Sequence, residues 1–179
     1  MTNVLLAAGA SAALHKSCDL ASKLSQAGHA VRAILTPRAA ELVGPQLFEA
    51  LTGEPAWVDE FGRHRRAGMD HIDLSKWGDV LVVAPCPADL LSRLALGLAS
   101  DLVTTVALAL PREKPRYLAP AMNPVMWRAF PIVRHAETLR GDGWRILEPG
   151  AGHMACGDDG LGRMPEPVEI VEALRDVLG

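Results

Sequence analysis

Short apolar runs separated by helical segments are the feature that most constrains how this chain can fold. The runs at 3–8, 30–36 and 80–85 are apolar at nearly every position. Strands have this composition when both of their faces are buried, as in a parallel sheet covered by helices on each side. Because the intervening segments repeat apolar residues at helical spacing, the chain predicts an α/β fold, a three-layer doubly wound parallel sheet of the Rossmann-like or flavodoxin-like class.

The remaining elements are predicted from their periodicity and their boundary residues. Ser11 is expected to cap the first helix, and Asp89 to cap the helix that follows the third apolar run. The run at 101–110, apolar beyond its first residue except at Thr104 and Thr105, is interpreted as a fourth strand. We further expect a strand at 116–119, a helix at 127–139, a short strand at 144–147 and a closing helix at 167–178.

Length, charge and cysteine content restrict the class of protein. A chain of 179 residues is long enough for one three-layer core, so we expect a single domain over 1–179. The net charge of −3 gives no electrostatic reason to bind nucleic acid or an anionic membrane. No run reaches the roughly 18–20 apolar residues of a membrane span, and we predict no signal peptide and no metal site. Three widely spaced cysteines fit a reducing cytoplasm better than a disulfide framework.

The loop after the first strand suggests a phosphate site. Gly9, Ala10 and Ser11 precede a helix whose N-terminal N–H groups can hold an anion. The loop lacks the G-x-G-x-x-G pattern of dinucleotide-binding proteins, and no acidic residue ends the second strand. A mononucleotide phosphate, held by backbone N–H groups and the Ser11 hydroxyl, is therefore expected rather than a dinucleotide.

The segment 120–127, Pro-Ala-Met-Asn-Pro-Val-Met-Trp, places one amide at the end of a predicted strand. Open α/β sheets bind ligands at the carboxyl ends of their strands. Asn123 is therefore a candidate for holding a carboxylate or an amide group. The alternative is a turn punctuated by prolines, in which Met122 and Met126 belong to the core.

Three further segments contain residues that could serve a binding or catalytic role. His71 is flanked by Asp70 and Asp73, and either carboxylate could fix its tautomer; the alternative is a histidine in a surface loop. The segment 150–165 contains five glycines and no regular period, which is typical of a flap or lid. The basic residues at 63–66 are interpreted as a solvated loop, with a specific anion site as the alternative.

Three motifs occur in order along the chain: His-Ile-Asp-Leu at 71–74, Pro-x-Met-Asn-x-x-Met-Trp at 120–127, and the cysteine and glycine segment at 155–164. With them the chain resembles, from residue 3 to about residue 167, the homo-oligomeric flavin-containing cysteine decarboxylases. That family includes phosphopantothenoylcysteine decarboxylases and decarboxylases of C-terminal cysteines in ribosomally made peptides. The resemblance implies FMN as cofactor, oxidative decarboxylation of a cysteine carboxylate to an aminoenethiolate, and a homo-oligomer, either a trimer or a dodecamer.

The resemblance also implies roles for individual residues. His71 corresponds to the family's base or substrate-orienting histidine, and Asn123 to the residue that binds the substrate carboxylate. Cys156 corresponds to the thiol with which phosphopantothenoylcysteine decarboxylases protonate an enethiolate intermediate. Further substrate-binding positions are Met122, Met126 and Arg163, the last in a substrate clamp spanning about 149–166.

The positions that match the family's FMN contacts follow the ends of predicted strands. In this chain 85–89 reads Pro-Cys-Pro-Ala-Asp where the family usually has Pro-Ala-Thr-Ala-Asn. An anion therefore replaces an amide donor and a proline removes one N–H, so we expect altered flavin affinity or substrate choice at this edge. The expected FMN-binding residues are Gly9, Ala10, Ser11, Thr36, Arg38, Pro85, Cys86, Pro87, Ala88, Asp89, Thr104 and Thr105.

Two substrates fit this reading of the sequence. Cys156 favours phosphopantothenoylcysteine. An ending just after the closing helix, which a free-standing enzyme and a truncated longer protein would share, and the altered 85–89 segment favour the C-terminal cysteine of a peptide. The prediction leans slightly to the peptide. Two other classes are a flavin-binding regulatory subunit without turnover, against which His71, Asn123 and Cys156 together argue, and a prenyl-transferring flavin enzyme, which should lack the motif at 120–127.

Overall fold

The computed structural model describes residues 1–61, 69–153, 157 and 159–179. Six strands form one parallel sheet: β1 (Asn3–Ala8), β2 (Ala30–Leu35), β3 (Ala56–Trp57), β4 (Val80–Cys86), β5 (Arg116–Pro120) and β6 (Arg145–Ile146). Their order across the sheet is β3-β2-β1-β4-β5-β6. The chain therefore runs outward from β1 in one direction and then outward from β4 in the other, which is doubly wound topology. The predicted α/β class is confirmed.

Helices cover both faces of this sheet. Successive residues of β1 alternate between two hydrophobic cores, with Val4 and Leu6 in one and Leu5 and Ala7 in the other. All four side chains are fully buried, which explains why the strand is apolar at every position after Asn3. The helices are α1 (Leu14–Gln26), α2 (Pro37–Leu42), α3 (Pro45–Thr52), α4 (Asp70–Trp77), α5 (Ala88–Ala95), α6 (Leu102–Ala109), α7 (Pro124–Trp127), α8 (Phe130–Gly141), α9 (Pro167–Ala173) and α10 (Arg175–Leu178).

The run at 101–110 was predicted as a strand, and that prediction is wrong, because its central residues form α6. Asp101 caps this helix: its Oδ1 accepts from the Thr104 N–H at 2.9 Å, and Thr104 Oγ1 accepts from the Asp101 N–H at 3.1 Å. The Oγ1 of Thr105 donates to the Asp101 carbonyl at 2.8 Å. Burial of most of α6 against α4 and α5 makes the run apolar nearly all round, which removes the helical period that would have identified it.

Two predicted helix caps are also wrong. Helix α1 begins at Leu14, and Ser11 forms the turn before it. Helix α5 begins at Ala88 after Pro87, so Asp89 lies in its first turn instead of capping it. In both cases a side chain near the helix start forms a different local hydrogen bond, which short sequence patterns do not distinguish from a cap.

The glycine-rich segment contains an antiparallel hairpin of β7 (Gly150–His153) and β8 (Asp159–Arg163). The basic residues at 63–66 and the residues 154–156 and 158, with Cys156 among them, lie outside the described residues. Within the part of the chain that the structure describes, no helix is long and apolar enough to cross a membrane.

Candidate active site

A cleft of about 370 Å³ opens where the strand order reverses between β1 and β4. Its walls come from the carboxyl ends of β1, β2 and β4 and from the turn before α6. This is where open α/β sheets bind ligands, and the volume lies in the usual range of about 300–1,000 Å³ for small-molecule sites. The lining residues are Gly9, Ala10, Thr36, Pro37, Arg38, Pro87, Asp89, Leu90, Arg93, Ser100 and Asp101.

Gly9 brings the end of β1 against the start of α5. Its N–H donates to the Pro85 carbonyl at 2.9 Å. A Cβ at this position would lie 2.4 Å from Cδ of Pro87 and 3.0 Å from Cδ2 of Leu90, closer than nonbonded carbon atoms approach. Any side chain at position 9 would therefore displace the wall that Pro87 and Leu90 form.

Ser11 shapes the turn from the cleft into α1. Its Oγ accepts from the Ala13 N–H at 3.2 Å, and its carbonyl accepts from the Leu14 N–H at 3.0 Å. The N-terminus of this 13-residue helix thus begins close to Ala10, which lines the cleft. The N–H groups and dipole at a helix N-terminus favour a phosphate.

The second βα turn adds a cation to the rim. Thr36 is buried and caps α2, with its Oγ1 accepting from the Ala39 N–H at 3.2 Å. Pro37 occupies the first helical position, where its missing N–H costs nothing. The exposed Arg38 follows and lines the cleft, so the rim offers a guanidinium suited to a phosphate.

An ion network crosses the opposite wall. Arg93 contacts Asp89 Oδ2 at 3.0 Å through Nη2 and Asp101 Oδ2 at 2.5 Å through Nη1, and it donates to Ser100 Oγ at 3.1 Å. Burial alone would lower the pKa of Arg93, but the carboxylates of Asp101 and Asp89 raise it above its ordinary value. The charge that Asp89 introduces is thus balanced inside the cleft, and the network ties α5 to the cap of α6.

Removal of this central charge gives a testable prediction. Arg93→Met keeps the length of the side chain but leaves the carboxylates of Asp89 and Asp101 without their shared cation. We expect a loss of about 1–3 kcal/mol in the free energy of unfolding, since a partner of a charged hydrogen bond is removed, together with weaker FMN binding. Chemical denaturation and FMN fluorescence titration measure the two effects. Arg175→Met removes an arginine from an exposed pair with Glu172 and should change neither quantity; equal effects of both variants would contradict the role of the network.

The cleft combines two surfaces that a mononucleotide with a flat aromatic ring requires. The rim at Arg38 and the start of α1 is cationic and rich in donors, whereas Pro87 and Leu90 provide an apolar wall. The residues present therefore fit FMN: the first surface would suit its phosphate and the second its ring.

The structure gathers half of the expected FMN-binding residues in the cleft. Gly9, Ala10, Thr36, Arg38, Pro87 and Asp89 line it. The others support it from behind: Pro85, Cys86 and Ala88 are buried, Ser11 shapes the turn, and Thr104 and Thr105 bond Asp101. Burial raises the pKa of the Cys86 thiol well above its ordinary value, so this cysteine is a packed core residue. Five further residues line the cleft without having been predicted from the sequence: Pro37, Leu90, Arg93, Ser100 and Asp101.

Asn123 lies beyond the carboxyl end of β5, on the same edge of the sheet as the cleft. Its Oδ1 accepts from the Met126 N–H at 3.0 Å and so caps the short helix α7. Because a carbonyl oxygen must face that N–H, the orientation of the amide is fixed, and Nδ2 is the donor of this side chain. The Ala121 N–H donates to the Cys86 carbonyl at 3.0 Å, which places this segment beside the end of β4.

The hairpin β7–β8 packs onto the segment that carries Asn123. The Met122 N–H donates to the Gly162 carbonyl at 3.0 Å. A Cβ on Gly160 would lie 3.1 Å from Cγ of Pro124, and φ of +148° at Gly160 also favours glycine. Met122 is 8% exposed and Met126 47% exposed, so the first is core and the second is available to a ligand.

Arg163 is held at the base of the hairpin. Its Nη2 contacts Glu166 Oε1 at 2.8 Å, and Lys16 Nζ contacts the same oxygen at 2.8 Å and the Met164 carbonyl at 3.1 Å. The hydrogen bond from Lys16, aided by the nearby charges of Lys16 and Arg163, lowers the pKa of Glu166. The predicted clamp residue is thus linked to α1, the helix that begins beside the cleft.

His71 lies in the first turn of α4 and not in a surface loop. Its Nδ1 contacts Oε1 of Glu60, a residue of the segment that follows β3. Asp70 is buried and Asp73 is exposed. The sequence suggested that one of these two aspartates fixes the tautomer of His71, but the carboxylate seen in contact with the ring is that of Glu60. His71 is placed by β3 and α4, whereas Asn123 is placed by β5. The role predicted for Cys156 stays a prediction, because that residue lies outside the described part of the chain.

Comparison with known proteins gives matches along the whole chain. A family model described as Flavoprotein matches residues 1–179. The coenzyme A biosynthesis bifunctional protein CoaBC of Bacillus subtilis (strain 168) is 39% identical over 170 residues, which are 95% of this chain and 41% of that protein. CoaBC of Haemophilus influenzae is 40% identical over 164 residues, 92% of this chain and 40% of that protein. The chain therefore spans about two fifths of the length of these curated relatives.

Solved structures match with similar completeness. A cysteine-to-serine mutant of PPC decarboxylase complexed with pantothenoylaminoethenethiol has a TM-score of 0.84 at 33% identity, covering 98% of this chain and 97% of that one. The FMN-dependent cysteine decarboxylase SpaF has a TM-score of 0.83 at 31% identity, covering 100% and 98%. The FMN binding protein AtHal3 has a TM-score of 0.83 at 33% identity, covering 98% and 96%.

Proposed function

Because the chain belongs to the flavoprotein family, among the homo-oligomeric flavin-containing cysteine decarboxylases with FMN as cofactor, we propose that it decarboxylates phosphopantothenoylcysteine. The curated relatives named above are proteins of coenzyme A biosynthesis, and one structural neighbour is a PPC decarboxylase. This support favours phosphopantothenoylcysteine over the peptide substrate toward which the sequence prediction leaned. A trimeric or dodecameric assembly stays a prediction.

The observation that carries the proposal is the fixed amide of Asn123 on the same edge of the sheet as the cleft. Bound FMN supplies a two-electron acceptor for the Cα–Cβ–S unit of the substrate cysteine. Asn123 Nδ2 donates to the substrate carboxylate and orients it while the carboxylate is still charged. A neutral donor stabilises the bound carboxylate less than an arginine would, so less binding energy is lost as the group leaves as neutral carbon dioxide.

Two other side chains have proton-transfer roles in this proposal. His71 orients the substrate or accepts a proton from it. Cys156 would donate the proton that, together with the two electrons the reduced cofactor would return, converts the enethiolate to the saturated product of phosphopantothenoylcysteine decarboxylation. The hairpin that packs on Met122 and Pro124 covers the bound cysteine and keeps water from it.

A peptide ending in cysteine is the second candidate. It is favoured by the similarity to SpaF, a cysteine decarboxylase that matches this chain over its full length. The two candidates share the chemistry at the carboxylate and differ in what is attached to the cysteine and in whether the product is saturated.

Mass spectrometry with both substrates tests the proposal. FMN-loaded protein is incubated with phosphopantothenoylcysteine and, separately, with a peptide that ends in cysteine. We expect turnover of phosphopantothenoylcysteine with loss of carbon dioxide alone. Turnover of the peptide only, with loss of carbon dioxide and two hydrogens, would assign the second candidate. FMN binding with no product from either substrate would support a regulatory subunit and contradict both.

A further inference from the structure

The contact between Glu60 and His71 joins two segments that are separate in sequence. Glu60 follows β3, and His71 lies in the first turn of α4. The Oε1 of Glu60 meets Nδ1 of His71, and the two side chains are 15% and 22% exposed. Partial burial of both groups shields the contact from water, so it is stronger and better ordered than a surface pair.

We propose that Glu60 is a positioning residue of the decarboxylation site: it keeps the proton of His71 on Nδ1 and thereby assigns proton exchange with the substrate to Nε2. The inference rests on the function proposed above, because it specifies which ring nitrogen of His71 exchanges a proton with the substrate.

The assignment follows from the chemistry of the two groups. An ionised carboxylate only accepts hydrogen bonds, so the ring nitrogen that faces it must donate. Whether the ring is neutral or charged, Nδ1 therefore carries a proton. In the neutral ring Nε2 then holds the lone pair, so Nε2 is the nitrogen that can accept a proton.

The carboxylate also affects the charge that the reaction creates. When Nε2 of His71 accepts a proton the ring becomes positive, and an adjacent carboxylate stabilises that charge. An acidic residue in contact with the other ring nitrogen does the same in hydrolytic triads, where it orients the base without being protonated itself.

The positions of the neighbouring carboxylates on the helix disfavour them for this role. Asp70 and Asp73 are one and two residues from His71 on the same helix, and side chains at those separations point to different sides. Asp70 is 5% exposed and turned into the protein, whereas Asp73 is exposed to solvent. Among the described residues, Glu60 supplies a carboxylate that contacts the ring.

A comparison of Glu60→Leu with Glu60→Gln tests the proposal. Leucine removes the acceptor at similar size, whereas glutamine keeps an acceptor but removes the charge. The readouts are the nitrogen-15 shifts of the His71 ring, assigned with His71→Asn, and kcat for phosphopantothenoylcysteine. In the unmutated protein we expect a protonated Nδ1; Glu60→Leu should lose that state and lower kcat by at least about tenfold, because general acid–base groups contribute about 10²–10⁴-fold. Glu60→Gln should lower kcat less than Glu60→Leu.

The controls separate this proposal from the proposed function and from a structural effect. Glu41→Gln removes an exposed carboxylate of α2 and should leave every readout unchanged. FMN absorbance should be alike in all Glu60 variants and the unmutated protein, and each variant should remain folded at the assay temperature even where the lost contact lowers its thermal midpoint. Unmutated protein inert toward both cysteine substrates would contradict the proposed function, whatever the ring shifts. Active protein in which Nδ1 is unprotonated, or in which Glu60→Leu keeps full kcat, would overturn the positioning role alone.

Discussion

Asn123→Asp is expected to abolish decarboxylation while leaving the fold intact. The new carboxylate can still accept from the Met126 N–H, and aspartate caps helices as well as asparagine does, so α7 should be preserved. The variant loses the Nδ2 donor and places a negative charge against the substrate carboxylate. We expect kcat/KM to fall by at least about a thousandfold, which corresponds to about 4 kcal/mol of lost transition-state stabilisation.

The measurement is the steady-state rate of product formation, with FMN absorbance and thermal unfolding recorded on the same samples. Gln46→Glu makes the same chemical change on an exposed residue of α3 and should keep full activity. Retention of more than a tenth of the activity by Asn123→Asp would refute the carboxylate role of Asn123.

Gly9→Ala is the second change with a large expected effect. The added methyl group would lie 2.4 Å from Cδ of Pro87, so either β1 or the start of α5 must shift. Overpacking of this kind costs about 1–3 kcal/mol, and the shift moves the apolar wall of the cleft. We expect the FMN dissociation constant to rise by at least about tenfold, measured by quenching of FMN fluorescence, along with a lower thermal midpoint.

Two other glycines serve as matched controls for this prediction. Gly141, in α8, has open space where a Cβ would lie, so Gly141→Ala should not lower stability and should leave FMN binding unchanged. At Gly78 a Cβ would lie 2.5 Å from Cγ of Leu5, away from the cleft, so Gly78→Ala should lower stability without a specific loss of FMN affinity. If Gly9→Ala bound FMN as tightly as Gly141→Ala, the assignment of the cofactor to this cleft would be contradicted.

The central strands were predictable because burial on both faces makes them apolar at nearly every position. The runs at 3–8, 30–36 and 80–85 became β1, β2 and β4 with boundaries shifted by at most one residue. The strand predicted at 101–110 was wrong for the same reason, since a helix packed between other helices is also largely apolar. Its identity depends on the Asp101–Thr104 cap, which is a local signal that hydrophobic periodicity does not weigh.

Residues of the candidate site that belong to sequence motifs could be predicted, whereas their contacts with residues distant in sequence could not. The motifs located Asn123 and His71, and the predicted family and its FMN cofactor are confirmed. The partners of these residues come from tertiary contacts: Glu60 reaches His71 from eleven positions away, and Arg93 joins Asp101 across the α5–α6 turn. No spacing rule links such pairs, although the separation of four between Asp89 and Arg93 could have suggested their ion pair.

The most direct test of the central claim is the release of carbon dioxide from carboxyl-labelled phosphopantothenoylcysteine by the FMN-loaded protein. We predict labelled carbon dioxide in stoichiometric amount with thiol product, and none from the Asn123→Asp variant. Protein that binds FMN in the cleft, yet releases no labelled carbon dioxide from this substrate, would contradict the account.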